Sequence, residues 1–364
     1  MTGVPPYPAV PATSVYADGP LVVSELRGDL TNGVTYLANR PVFSAYSTQG
    51  GSVTGGTYQA IPMETENYDT WGGHSPFSGN APQNYYCQSP GWYIAEAIIP
   101  VVAPGAVNVT AALGLNNAGG LFTHEGAQLY IPYAREAVAL AADLMPMTRG
   151  GTVGDPNADY IQAQVTASKA GVSLVAQDGV NPVLSIRWAG TGSASSLAVP
   201  SNPGWPVPPA PVTAAWLNAN VSDAVTFLSN PPMLRAWSSA GGQSVPAATW
   251  PAAAKVTLDQ TSLDNYSAWE GGTSEYRVPV SGIYYAAGLV TLIGVTGQFA
   301  SGLLINGAVT WLQAGYTDSS SSQNAGPLFA TRLRLSAGDT VALAAFGAAT
   351  AGLPSRLVLA WEAS

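Results

Sequence analysis

The sequence predicts a mainly β protein of two tandem antiparallel β-sandwich domains, each preceded by a short α-helix. Three observations carry this expectation. The chain matches itself at a fixed offset of 191 residues, the signature of a tandem duplication. Segments such as Glu275-Tyr276-Arg277-Val278-Pro279-Val280 and Thr331-Arg332-Leu333-Arg334-Leu335 alternate with period two between clusters of Gly, Ser and Asn, as half-buried strands do. Only 9% of residues are charged while 47% are hydrophobic, with 10 Trp and 17 Tyr, so the chain carries enough apolar surface to fold.

Residues 1–20 are Pro-rich, uncharged until Asp18, and have no pattern that buries a face. They are expected to order only against another protein, as an attachment segment. A short helix is expected over 21–38, where Leu26, Leu30, Val34 and Leu37 share one face, and another over 212–229 from Leu217, Val221, Val225 and Leu228. Each helix either packs on its own domain or forms one strand of a short coiled coil with copies of itself, and Gly33 interrupts the first. The sandwich domains occupy 39–190 and 230–364, joined by a stiff Pro/Gly/Ser-rich linker over 191–211.

The two copies correspond residue by residue. Pro41, Phe43, Ala45, Tyr46 and Ser47 answer to Pro232, Leu234, Ala236, Trp237 and Ser238, and Pro90-Gly91-Trp92-Tyr93 answers to Ser281-Gly282-Ile283-Tyr284. Tyr68 and Trp71 align with Tyr266 and Trp269 at an offset of 198, and Trp188 with Trp361 at 173. Such drift marks loops of unequal length. The extra residues of the first copy lie within 132–159, where Ala134 to Leu144 reads equally as a short helix or a strand.

Composition excludes several classes. A net charge of −9, with Lys169 and Lys255 the only lysines, makes nucleic acid an unsuitable partner. A single Cys87 leaves no internal disulfide, and with only His74 and His124 a Cys/His zinc site is excluded. Met1 to Pro11 has no basic start or apolar core, so no secretory signal is expected there. Ile283 to Val295 is shorter than the roughly 20 residues of a spanning helix and is punctuated by Gly288, Thr291 and Gly294, so buried strands rather than a membrane span are expected. A surface of small polar residues suits an extracellular or particle-bound protein.

Phe43-Ser44-Ala45-Tyr46, Asn67-Tyr68-Asp69 before Gly72-Gly73, and Cys87-Gln88-Ser89-Pro90-Gly91-Trp92-Tyr93 resemble the jelly-roll head shared by complement component one-q and the tumour necrosis factor ligands. The second copy repeats the order with Val278-Pro279-Val280-Ser281-Gly282-Ile283-Tyr284-Tyr285 and Leu333-Arg334-Leu335-Ser336-Ala337-Gly338-Asp339-Thr340-Val341. The Pro/Ser-Gly-x-Tyr turn is expected to close a hairpin, and Ala-Gly-Asp to form a tight turn with Gly at positive φ. The first copy departs from the pattern at Lys169-Ala170-Gly171-Val172, which has no Asp after the glycine. The resemblance implies jelly-roll domains and a homotrimer packed on an apolar sheet face, in two tiers unless the two jelly rolls of one chain pair with each other. Leu37-Ala38-Asn39-Arg40-Pro41 before such a head resembles the minor tail proteins of tailed phages that infect actinobacteria. That implies a virion location in the phage tail, contacts with other tail proteins through the N-terminal segment, and attachment to a host-surface glycan. A capsid decoration protein or a glycan-cleaving tail enzyme are the alternatives.

No enzyme, cofactor or metal centre is expected. His124-Glu125 lacks the second His of a zinc protease helix, and neither a Gly-x-Ser-x-Gly elbow nor a phosphate loop occurs. Glu64 and Glu66 are the acid pair a glycosidase would need. Asp155, Asn157 and Asp159 alternate as hard oxygen donors for calcium, or form a solvated turn. Aromatics present in both copies read as core. Trp311, Tyr316, Trp205, Tyr130 and Tyr133 lack counterparts and read as stacking platforms for sugar rings or as local loop plugs, with Trp311 and Tyr316 foremost for a host glycan.

Overall fold

The computed structural model describes residues 33–74, 82–117, 120–131, 134–176, 180–195, 213–245, 254–317, 323–351 and 355–363. The attachment segment 1–20, most of the expected 21–38 helix and linker residues 196–211 lie outside them. The described part of that helix is α1 (Val34–Ala38). The first copy then forms β1 (Val42–Tyr46), β2 (Ser52–Val53), β3 (Gln59–Ala60), β4 (Thr65–Asp69), β5 (Tyr85–Tyr86) and β6 (Gly91–Ala103). It continues with β7 (Val107–Asn117), β8 (Gly120–Ile131), β9 (Arg135–Met147), β10 (Tyr160–Ala167), β11 (Val172–Leu174) and β12 (Val183–Gly190).

The second helix is α2 (Ala214–Leu217) and α3 (Asp223–Ser229), joined by a π-helical turn over Asn218–Ser222 and capped where the Trp216 amide donates to Thr213 Oγ1 at 3.2 Å. After it come β13 (Met233–Trp237), β14 (Gln243–Val245), β15 (Ala254–Lys255), β16 (Gln260–Asp264), β17 (Trp269–Glu270), β18 (Glu275–Arg277) and β19 (Gly282–Leu289). The chain ends through β20 (Leu292–Ile305), β21 (Ala308–Thr317), β22 (Gln323–Ala325), β23 (Leu328–Leu335), β24 (Thr340–Ala351) and β25 (Arg356–Ala363).

All named strand pairings are antiparallel, and among the described residues no sheet mixes the copies. In the first copy one sheet runs β4-β1-β12-β6, with β9 along the far edge of β6 and β11, which carries β2, pairing directly with the end of β6 at Val101 and Val102; the other runs β3-β10-β7-β8, with β5 beside β10. The chain passes from β6 to the β7–β8 hairpin of the opposite sheet, back to β9, across to β10 and back to β12, which is jelly-roll winding. The second copy repeats it, with β16-β13-β25-β19-β23 in one sheet and β17-β18-β24-β20-β21 in the other. Alternation fills each interior: Tyr93, Ala95, Ala97, Ile99 and Val101 of β6 face one core, Leu357, Leu359 and Trp361 of β25 the other.

Correspondence between copies extends to hydrogen bonds. β1 pairs β12 from Val42↔Arg187 to Tyr46↔Val183, and β13 pairs β25 from Met233↔Ala360 to Trp237↔Arg356, equivalent positions at offsets 191 and 173. Tyr93 Oη donates to Ser89 O at 2.5 Å and Tyr284 Oη to Val280 O at 2.7 Å. The Trp188 and Trp361 amides donate to Pro41 O and Pro232 O, each at 2.9 Å. Their indoles explain Gly91 and Gly282, because a Cβ at either position would collide with the indole Nε1. The expected hairpin is absent at this turn: β18 and β19 lie in different sheets, so the segment crosses the sandwich. The Ala-Gly-Asp turn forms as expected, with Gly338 at φ 92 and Asp339 Oδ2 accepting from the Ser336 amide at 2.7 Å.

The stretch Ala134 to Leu144, open between helix and strand in the sequence, is strand from Arg135, within β9. Other expectations need correction. Asp69 faces Phe43 and Asp264 faces Leu234, with a bulge one residue further along each partner, so the true offset here is 195 rather than 198. Tyr68 is 50% exposed and is no core residue. In the second helix Leu217, Val221 and Val225 are buried as expected, but Phe227 rather than Leu228 enters the core; in α1 Tyr36 enters its core and Leu37 is only partly buried. Neither alternative drawn for the helices is complete, because α1 abuts α3, where a Cβ on Gly33 would lie 2.9 Å from Val225 Cγ1. Ile283 to Val295 lies in β19, β20 and their connection, and no helix among the described residues is long and apolar enough to cross a membrane.

The copies also pack face to face. Ile94, Ala142, Leu144 and Ala189 of the first meet Met233, Leu263, Tyr285, Ala287, Leu289, Leu328, Val358 and Ala360 of the second in one apolar cluster. The second copy thus buries part of one sheet face against the first, the pairing of the two jelly rolls of one chain that was the alternative to two tiers.

Candidate functional site

The polar groups by residue type suited to chemistry sit mostly in scaffold roles. Asp143, on β9, is fully buried in the seam between the copies. Its Oδ1 accepts from Arg235 Nε at 3.0 Å and the Leu144 amide at 2.8 Å; its Oδ2 accepts from Arg235 Nη2 at 2.9 Å and lies 2.8 Å from His124 Nδ1. Arg356 Nε stands 3.6 Å away. Burial alone would raise this carboxyl, but the Arg235 and Arg356 guanidinium groups overturn that and hold it well below the usual carboxylate range. The cluster ties β8 and β9 of the first copy to β13 and β25 of the second.

Glu64 Oε2 accepts from the Thr48 amide at 3.0 Å, and Glu66 Oε1 lies 2.7 Å from His74 Nδ1. His74 Nε2 lies 2.7 Å from Pro82 O. The acid pair therefore fastens loops. Asp159 is fully buried, not part of a solvated turn, and accepts from the Thr148 and Arg149 amides and from Arg149 Nε at 2.7 Å. Asp155 Oδ1 caps the Asn157 amide at 2.9 Å. Among the described residues no three His, Cys, Asp or Glu side chains gather as a metal group.

The aromatic candidates do not converge. Trp311 lies on β21, half-buried, with its ring edge-on to Phe346 at 6.0 Å between centroids. Tyr316 is on the same strand, its backbone opposite Gln298, and Tyr130 is on β8 opposite Asn108. Trp205 and Tyr133 lie outside the described residues.

Two cavities open beside the seam. One, of about 350 Å³, is bordered by Arg40, Thr70, Arg187, Trp188, Trp361 and Glu362, where the end of α1 meets the outer face of β1 and β12. Arg187 Nη2 lies 2.5 Å from Glu362 Oε1, its guanidinium stacks 4.9 Å over the Tyr285 ring, and its Nε is buried with no hydrogen bond. The second cavity, of about 240 Å³, runs between Ile98, Leu140 and Ser185 of the first copy and Leu328 and Ala330 of the second. Beside it Ile98, Val102 and Val138 form an outward apolar row on β6 and β9, exposed by 44%, 39% and 50%. None of these features was apparent in sequence, because each joins residues far apart in the chain.

No protein-family model matches the chain, and no curated protein matches it. Solved structures similar to part of it include the globular domain of zebrafish complement 1qA protein, at 11% identity, 40% of this chain, 95% of that one and a TM-score of 0.29. Murine APRIL at pH 5.0 is similar at 18% identity, 36% and 98% coverage and a TM-score of 0.27. Eiger TNF from S. frugiperda is similar at 17% identity, 36% and 94% coverage and a TM-score of 0.30.

Proposed function

We propose that the chain is a structural virion protein of a tailed phage, a minor tail protein that contributes to tail-tip or fibre architecture and holds a host-surface glycan. In this reading 39–190 and 230–364 are two tandem jelly-roll domains, and residues 1–20 attach to other tail proteins. The observation that carries it is the use made of the polar groups: Asp143, Asp159, Glu64, Glu66 and His74 each fasten a loop or one copy to the other. A chain whose acids serve its scaffold acts through surface complementarity.

Assembly is part of the proposal. An exposed apolar row such as Ile98, Val102 and Val138 marks an interaction surface. Three chains packing these rows about one axis make the homotrimer. Trp311 and Tyr316, on β21, supply aromatic stacking for the glycan without charge.

Two variants test the division of labour. Deleting residues 1–20 is expected to leave the protein out of assembled particles, and replacing Trp311 and Tyr316 together by Ala is expected to lower adsorption to host cells. Normal incorporation of the truncated chain, or unchanged adsorption of the double variant, overturns the corresponding half.

A further inference from the structure

We propose that the cavity beside Arg40 is a binding site for a small carboxylate-bearing saccharide, a hexuronate residue. Arg40, Tyr68, Ser185 and Arg187 of the first copy occupy the positions of Pro231, Leu263, Val358 and Ala360 in the second. The second set is apolar and covered by the first copy, with Leu263 at 6% exposure, Val358 at 0% and Ala360 at 1%. In the first copy two of these places carry cations, Arg40 and Arg187, and both border open space of about 350 Å³. Solubility of an open sheet face does not require arginine at the two positions that flank a cavity.

Arg40 makes no ion pair among the described residues. Its Nε donates to Leu37 O at 3.2 Å, and burial pulls its guanidinium below the ordinary value, the sign of a cation short of an anion. Arg187 is paired with Glu362, which also accepts from Arg332 Nε at 2.8 Å. With the ion-paired neighbours Glu96 and Arg332 included, three arginines (Arg40, Arg187 and Arg332) stand against two carboxylates (Glu96 and Glu362), one positive charge in excess. That suits a monoanion and, with a carboxylate already in the wall, disfavours a phosphate dianion. Guanidinium groups bind carboxylates through paired, charge-assisted hydrogen bonds. The rest of the wall suits a pyranose: Trp188 and Trp361 supply apolar edges, while Asn39, Thr70 and Glu362 supply hydroxyl partners. The volume is that of one sugar residue with its hydration rather than a chain.

The proposal does not depend on the tail-protein reading, since it concerns the purified chain. The full chain is titrated calorimetrically with D-glucuronate, D-glucose and acetate, and the same titrations are run on Arg40→Gln and Arg40→Lys. Saturable glucuronate binding is expected, with glucose and acetate each weaker by about tenfold or more, because each lacks one half of the recognition. Arg40→Gln is expected to weaken glucuronate by about tenfold with an unchanged unfolding midpoint, and Arg40→Lys to recover part of the loss. Absence of saturable glucuronate binding overturns the proposal, as does acetate or glucose binding as tightly as glucuronate, or an unaltered affinity in Arg40→Gln.

Discussion

Tyr36 meets the indole of Trp188 edge-on, with ring centroids 5.2 Å apart and planes at 83°. Phe227 meets Trp361 in the same way, at 5.0 Å and 80°. Each contact pins a helix end to the last strand of its sheet, the strand whose first-copy and second-copy registers coincide. The edge-to-face geometry is favourable by itself, beyond the burial of the rings.

Replacing Phe227 by Ala is expected to cost about 3–5 kcal/mol, since it opens a fully buried cavity beside Trp361. Tyr36→Ala is expected to cost a similar amount and to strand Ser89 Oγ, which lies 3.0 Å from the Tyr36 hydroxyl. Urea unfolding of each variant measures this. A loss below about 1 kcal/mol in either would show that the helix is not anchored there.

Much of the fold was legible because the duplication preserves residues with strict geometric duties. Gly91 and Gly282 leave room for an indole, Tyr93 and Tyr284 reach back to a carbonyl, and these positions keep their spacing. Strand β9 was not legible, since its run of alanines has no strong preference and no clear period. The alignment near Asp69 and Asp264 slipped because bulges and unequal loops break the fixed offset. Candidate sites were least legible: Arg40 and Arg187 are joined only by the fold, and outward residues such as Ile94 and Met233 gave no sign that they share one apolar cluster.

Asp143 gives the seam an acid sensitivity. Its folded carboxyl lies well below its unfolded value, so the stabilisation is fully present above about pH 4 and is lost as pH falls below that toward the folded value. Asp143→Asn leaves Arg235 and Arg356 buried without their anion and is expected to cost about 3–5 kcal/mol at neutral pH. It is also expected to flatten the fall in stability below about pH 4, measured by denaturant unfolding at a series of pH values. An unchanged acid slope in the variant would assign that sensitivity to other carboxylates.

Light scattering tests the apolar row. The wild-type chain, of 37.2 kDa, is expected to run as a trimer, and Val138→Asp to run as a monomer, because a charge cannot be buried unpaired in that contact. A monomeric wild-type chain at micromolar concentration, or a trimer unaffected by Val138→Asp, contradicts assembly through Ile98, Val102 and Val138.

We propose that this chain binds and builds without performing chemistry, and a direct test is release of reducing ends from actinobacterial cell-wall polysaccharide. Purified full-length protein is incubated with the polysaccharide at excess enzyme-equivalent concentration, beside Glu64→Gln and Glu66→Gln variants. No release above the buffer control is expected from any of the three. Release by the wild-type chain that disappears in either variant would contradict it and make the acid pair catalytic.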